Sequence, residues 1–285
     1  MTDTTKVPER DAATGFRDVD RTGDPGFYVR FLERATGVER MRQIKRRSHE
    51  LLQVRPGQRV LDVGCGLGDD VRALAALVGP AGRAVGVDAS AAMIAEARKR
   101  SEGTDLSVEF AVGDAHRLDF ADGSFDASRT ERTLHYLADP ARAVAELVRV
   151  TKPGGHVLAL EPDHETFVIC PGDKATTRRI AQAFADSIPN GWIGRQLLAL
   201  FLDAGLTEVT AMPEVLLFTE LELVRPLLLD AHLEKVKQTG LLPAHEVDAW
   251  LAGLVEAQQR GRFLFSVTAF CVVGRKPTVS VASDG

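Results

Sequence analysis

A short apolar strand that breaks into glycines, restarts as a helix, and is then followed by the same alternation several times over leaves a chain few folds to choose from. Residues 59–63 read as a strand, and 69–78 as a helix closed by Gly79-Pro80. A second strand follows at 84–87 and a helix at 90–100, with Met93, Ile94 and Ala97 on one face. Further strands are expected at 107–112, 125–128 and 156–160, with a helix at 141–150 before Lys152-Pro153-Gly154-Gly155. Strand and helix in regular alternation predict an α/β fold, a mostly parallel sheet with helices on both faces.

After Glu161 the rhythm changes. Helices are expected at 175–188 and 196–204, and a strand at 207–218, bent at Pro213. Two more helices follow at 221–239 and 243–259, then a last apolar strand at 262–273. Upstream, 27–52 is helical by the spacing of Phe27, Phe31, Leu32, Ala35, Val38 and Met41, with Gly37 dividing it. The organisation expected is a mobile polar tail at 1–25, a helical lid at 26–55, one domain at 56–275 with cap helices within 162–260, and a polar tail at 276–285.

Composition narrows the function class. The 285 residues are 45% apolar and 26% charged, enough for a core without staples. A net charge of -5 gives no basic surface for nucleic acid or an anionic membrane. Cys65, Cys170 and Cys271 are scattered and odd in number, which suits free thiols in the cytoplasm better than a disulfide frame. The N-terminus lacks the apolar core of a secretory signal, and no apolar run is long enough to span a bilayer. A homodimer stays open.

The strongest signal is Val60-Leu61-Asp62-Val63-Gly64-Cys65-Gly66-Leu67-Gly68-Asp69-Asp70, which leaves a strand and opens a helix. Glycines there let the backbone turn sharply and approach a ligand. The dinucleotide spacing G-x-G-x-x-G is not met, because Gly68 comes one position early and Asp69 stands where that pattern has glycine. Acids at the helix start would repel a pyrophosphate and suit a cationic ligand. Asp88 follows the second strand, where an acid can accept from ribose hydroxyls. Asp114 follows the third, where a carboxylate can accept from an adenine amine. Together they specify an adenosine without phosphates.

These stretches, with GVD, GDA, FDASRTERTLHYLADP and KPGG, resemble the class I, Rossmann-like S-adenosylmethionine-dependent methyltransferases, in the branch of ubiquinone/menaquinone-type and natural-product enzymes. The likeness runs from about Val60 to Glu161. It implies S-adenosylmethionine as cofactor and S-adenosylhomocysteine as product. It also implies a seventh, antiparallel strand, which would account for 262–273. By this resemblance Gly64 and Gly66 lie under the methionine part, Asp62 near its ammonium, and Asp88 with Ala89 at the ribose. Met93 would lie by the adenine face, Asp114 with Ala115 at the adenine amine, and Thr130 near the methionine end.

Methyl transfer to oxygen or carbon also needs a proton removed. His135 and Glu131 after the fourth strand, and Glu161 after the fifth, are the candidates for that base. The cluster Glu161-Pro162-Asp163-His164-Glu165 has metal-ligand chemistry but no helical His/Glu spacing, so no metal is assigned. Phe27, Tyr28, Phe31, His164 and Trp192 are expected around a small, hydrophobic or aromatic acceptor. O-methylation in secondary metabolism is the leading expectation, then methylation of carbon or nitrogen. The alternative is a methyltransferase-like protein that uses the bound cofactor for other chemistry or for regulation.

Overall fold

The computed structural model describes residues 15–278. Seven strands form one sheet: β1 Arg59–Val63, β2 Arg83–Asp88, β3 Val108–Val112, β4 Phe125–Glu131, β5 Thr151–Cys170, β6 Thr207–Phe218 and β7 Leu264–Arg275. Their order is β3-β2-β1-β4-β5-β7-β6. The first five run parallel, and β7 is antiparallel to both β5 and β6. The helices are α1 Pro25–Thr36, α2 Glu39–Leu51, α3 Asp69–Val78, α4 Ala91–Ser101, α5 Pro140–Val150, α6 Lys174–Ser187, α7 Ile193–Asp203, α8 Leu221–Val224, α9 Asp230–Gln238 and α10 Ala244–Gln259.

The central strands read as unbroken apolar runs because both faces of the sheet are covered. Alternate side chains go to opposite layers. Val60, Leu158 and Leu160 pack with Val71, Leu74 and Ile94 of α3 and α4. Leu61, Val157 and Ala159 pack with Val144, Leu147, Leu197 and Phe201 of α5 and α7. A third cluster joins Phe218, Phe263, Phe265 and Val267 to Val224, Leu233, Val247 and Trp250. It fixes a cap of α6 and α8–α10 over the far ends of β5, β6 and β7.

Three elements differ from the sequence expectation. The strand expected to stop near Leu160 continues to Cys170, because β7 pairs with it from His156↔Arg275 to Cys170↔Leu264. A register shift between Asp163 and Val168 absorbs the polar Asp163-His164-Glu165 stretch. The fourth strand runs to Glu131 rather than Ser128. The helix expected at 221–239 is divided by a π-helical stretch, Arg225–Leu229. Pro226 explains the break, since it has no N–H to donate and its ring displaces the preceding turn.

Part of the stretch expected as a tail is structured. Two 3-10 turns, Gly15–Arg17 and Val19–Arg21, lead into α1. Val19 is buried with Tyr28, Leu67 and Met93. At the other end the Lys276 ammonium donates to the carbonyls of Arg149 and Thr151. The rest of both expected tails lies outside the described residues.

Candidate active site

Four parallel strand tips and the loops behind them open on one cavity of about 530 Å³. Its floor is the glycine loop. Gly64, Gly66 and Gly68 have φ of +75°, +49° and +75°, which side chains adopt only at a cost. A Cβ on Gly64 would stand 1.9 Å from Thr133 Oγ1, and one on Gly68 would stand 2.6 Å from the Phe110 ring. Glycine is therefore required at both positions by packing as well as by backbone geometry.

The Gly66 N–H does not point at open space. It donates to Asp88 Oδ2 at 2.9 Å, while Ser90 N–H donates to Oδ1 at 2.9 Å. The loop is thus wound around a protein carboxylate, which takes the place a phosphate would have. Burial pushes the Asp88 carboxyl up, and these two backbone donors oppose the rise. A carboxylate has about four acceptor positions, so each oxygen keeps a lone pair for a ligand hydroxyl. Asp114, further along the same edge, is more exposed. Its Oδ1 accepts from the His116 N–H at 2.9 Å and lies 2.7 Å from Nδ1 of that ring.

The N-terminal segment closes this end. The Asp20 carboxylate accepts from Ser90 Oγ at 2.6 Å and from the N–H groups of Ala91 and Ala92 at 2.8 and 3.2 Å. It sits on the first turn of α4, where free N–H groups and the helix dipole favour an anion. Phe16, Val19, Phe31 and Leu32 thereby form a wall of the cavity.

Behind the glycine loop is a buried lattice of charges. Arg129, fully buried in the middle of β4, reaches Asp62 at 3.3 Å, Asp70 at 3.2 Å and Glu131 at 2.6 Å. Lys45 of α2 pairs with Asp70, and with Glu131 at 3.1 Å. His49, one turn on, lies 2.8 Å from Asp70. Burial opposes every charge here, and the neighbours decide the outcome. Arg129 and Lys45 overcome burial to hold Asp70 well below the usual carboxylate range. Lys45 and Arg129 likewise overcome burial to lower Glu131, against the repulsion of Asp70. At Asp62 burial prevails over Arg129, and the carboxyl rises to about 7.

At the opposite end of the cavity, His135 Nδ1 lies 2.6 Å from Glu161 Oε2. The other oxygen, Oε1, accepts from the Thr133 and Leu134 N–H groups at 2.7 and 2.8 Å. Glu161 is fully buried and held from three sides, so it fixes the plane and tautomer of the imidazole. The His164 ring stands 5.4 Å from that of His135, centroid to centroid. Neither of its nitrogens has a hydrogen-bond partner, and burial, with some help from His135, pushes its pKa well below 6.5. Beyond it the walls become apolar: Phe167, Leu216, Phe218, Leu227, Leu228 and Val267.

Residues 61–159 match the methyltransferase domain family. An uncharacterized 37.1 kDa protein of transposon TN4556 from Streptomyces fradiae is 38% identical over 249 residues, 87% of this chain and 71% of that one. The chain belongs to the class I S-adenosylmethionine-dependent methyltransferases. A demethylmenaquinone methyltransferase of Bacillus cereus is 34% identical to this methyltransferase over 131 residues, covering 46% of it but only 55% of the Bacillus enzyme. The YcgJ protein of Bacillus subtilis superimposes with a TM-score of 0.57 at 21% identity, over 80% of this chain and 96% of that one. The cyclase SpnF does so with 0.55 at 24%, over 84% and 81%. Both likenesses concern the fold alone.

The cofactor of this methyltransferase is S-adenosylmethionine, and the residues present fit it. The loop offers positive-φ glycines with its Gly66 amide already committed to Asp88, and acids outnumber cations at that end. Asp62, Gly64, Gly66, Asp88, Ala89, Met93, Asp114 and Ala115 all line the cavity. Thr130 does not. It lies within the longer β4, fully buried, with its hydroxyl on the Val63 carbonyl at 2.9 Å.

Of the three residues expected as base, His135 and Glu131 line the cavity, and Glu161 stands behind His135. Glu131 is tied to Arg129 and Lys45, which makes it a poor proton acceptor. Of the residues expected around the acceptor, Phe31 and His164 reach the cavity. Phe27 and Tyr28 pack instead in the small cluster with Val19 and Leu67. Trp192 is 48% exposed and carries the Arg195 guanidinium on its ring at 4.7 Å. Its place before α7 turns it outward. Sequence reasoning did not find Lys45, His49, Arg129 or Asp20. The sequence reading ended the fourth strand at Ser128; with β4 running to Glu131, Arg129 falls inside a strand covered on both faces, and such a charge needs buried partners.

Proposed function

We propose that this methyltransferase methylates an oxygen of a small apolar or aromatic acceptor, in secondary metabolism. The observation that carries the reading is the His135–Glu161 pair on the cavity wall. With Nδ1–H donated to Glu161, Nε2 bears the lone pair and can take the proton of an acceptor hydroxyl. The cofactor, when bound, supplies an activated methyl group. That methyl would go to the acceptor oxygen, and His135 Nε2 would take the proton which that oxygen gives up.

The apolar end under the cap supports an acceptor with a hydrophobic body. In this reading residues 26–55 with the turns before them act as a lid, and the cap within 162–260 selects the acceptor. All three cysteines are free, which supports the cytoplasm as its location. Among the described residues no helix is long and apolar enough to cross a membrane.

The test is methyl transfer to a panel of phenols, hydroquinones and aliphatic alcohols, followed by mass spectrometry. His135→Gln is expected to lower kcat by about 10²–10⁴-fold. Its affinity for S-adenosylhomocysteine should be unchanged. A His135→Gln variant with the parent rate contradicts the role given to His135.

A further inference from the structure

The residue after β4 has left the strand conformation. Arg132 has φ +49°, a left-handed geometry that only Gln53 and Glu208 share among the described non-glycine residues. Of the three, Arg132 alone lines the main cavity. Backbone bonds hold it there: its N–H donates to the Leu160 carbonyl at 3.0 Å, and the Thr133 N–H to Glu161. Strain of this kind, kept by its surroundings, is found at ligand sites more than elsewhere.

The side chain is as unusual as the backbone. Nε lies 3.4 Å from Glu131 Oε1 but makes no hydrogen bond, although it is buried. Among the described residues the terminal nitrogens have no hydrogen-bond partner either. The other cations of the wall are spent or outside. Lys45 is committed to Asp70 and Glu131, and Arg17 is exposed at the rim. Acids dominate the cofactor end: Asp62, Asp69, Asp70, Asp88, Asp114 and Glu131. They suit an ammonium and a sulfonium, and they repel a carboxylate unless a cation answers it.

We propose that Arg132 is the carboxylate-binding residue of the cavity, and that its partner is the carboxylate of the cofactor's amino-acid part. The turn's position selects this source over an acid on the acceptor. Thr133 lies so close to Gly64 that a Cβ there would collide with its hydroxyl, so the Arg132–Thr133 turn rests on the first glycine of the loop. The inference depends on the cofactor lying against that loop, as proposed for the reaction.

Calorimetry with two ligands tests it: S-adenosylhomocysteine, and methylthioadenosine, which keeps the nucleoside and sulfur but lacks the amino acid. Arg132→Gln should weaken S-adenosylhomocysteine by about ten- to a hundredfold. Methylthioadenosine should bind it as it binds the parent. Arg132→Lys should recover part of the loss, because an ammonium cannot make the two parallel bonds of a guanidinium. Arg132→Gly should lose as much affinity for S-adenosylhomocysteine while its melting temperature stays near the parent's, since glycine accepts the left-handed backbone.

An equal loss for both ligands, or no loss for either with acceptor KM unchanged, overturns the proposal. Unchanged S-adenosylhomocysteine affinity with a raised KM only for acidic acceptors keeps the carboxylate and overturns its assignment to the cofactor. Failure of the parent protein to bind either ligand would instead remove the underlying functional reading.

Discussion

The two ends of the cavity are built from different materials. The cofactor end is a backbone object: three positive-φ glycines, strand tips, and carboxylates held by N–H groups of the loop and of α4. The cap end is a side-chain object. Phe167, Leu216, Phe218, Leu227, Leu228 and Val267 come from four separate stretches and meet only in the folded chain. A site made of backbone fixes one ligand and tolerates little change. A site made of apolar side chains can be reshaped one residue at a time. In the proposed reading, the difference lets one end keep a common methyl donor while the other is retuned to its acceptor.

The largest effect should come from the lattice beneath the cofactor end. Arg129→Met leaves Asp62, Asp70 and Glu131 facing one another in a buried space. Removing one partner of a buried ion pair costs about 3–5 kcal/mol. Chemical denaturation should show a loss of that size, together with weakened S-adenosylhomocysteine binding. A loss under about 1 kcal/mol would mean that the lattice relaxes freely.

Next is a change confined to the cap. Leu228→Ala should lower kcat/KM for a well-fitted acceptor by about tenfold or more, the usual worth of missing methylenes in an apolar pocket. Cofactor affinity should not move. If calorimetry shows S-adenosylhomocysteine weakened to the same degree, the two ends are not separable.

The boundary between them, His164, should show itself in pH. Its pKa in the folded protein lies well below 6.5, and in the unfolded chain it returns to about that value. The unfolded state therefore takes up the proton first as pH falls. Stability from this group is complete above about 6.5 and declines below it, with a limiting slope of about 1.4 kcal/mol per pH unit. Denaturation midpoints between pH 7 and 5 should fall less steeply in His164→Phe. Identical slopes would show that His164 is solvated or paired.

The smallest effect belongs to the N-terminal segment proposed as a lid. Asp20→Ala removes three hydrogen bonds at the start of α4. The cost should be about 1 kcal/mol, as for loss of a helix cap. Stopped-flow release of S-adenosylhomocysteine should be faster, and an unchanged rate would free the lid from any part in retention.

The same contrast decides what could be read in the amino-acid chain. The glycine loop, Asp88 and Asp114 follow from local order, because a parallel sheet brings successive strand tips to one edge whatever the side chains do, whereas Met93 was implied only by the family resemblance. The cap was legible as helices but not as a surface. The length of β5 depended on β7, about a hundred residues away, whereas the break at Pro226 is a local effect of a residue with no N–H to donate. Trp192 and Tyr28 looked like pocket aromatics by type, but one is turned outward beside Arg195 and the other is buried on α1 against Val19, Leu67 and Met93. His135 was one of three acids or bases with equal claims until Glu161 was seen to hold it and Arg129 to occupy Glu131.

Hydrogen exchange with and without S-adenosylhomocysteine tests the division directly. Protection should concentrate in residues 61–69, 88–93 and 113–116, with a lesser gain at 15–36, the proposed lid, and 221–238 of the cap should be unchanged. Protection confined to the cap, with the glycine loop exchanging as before, would contradict it.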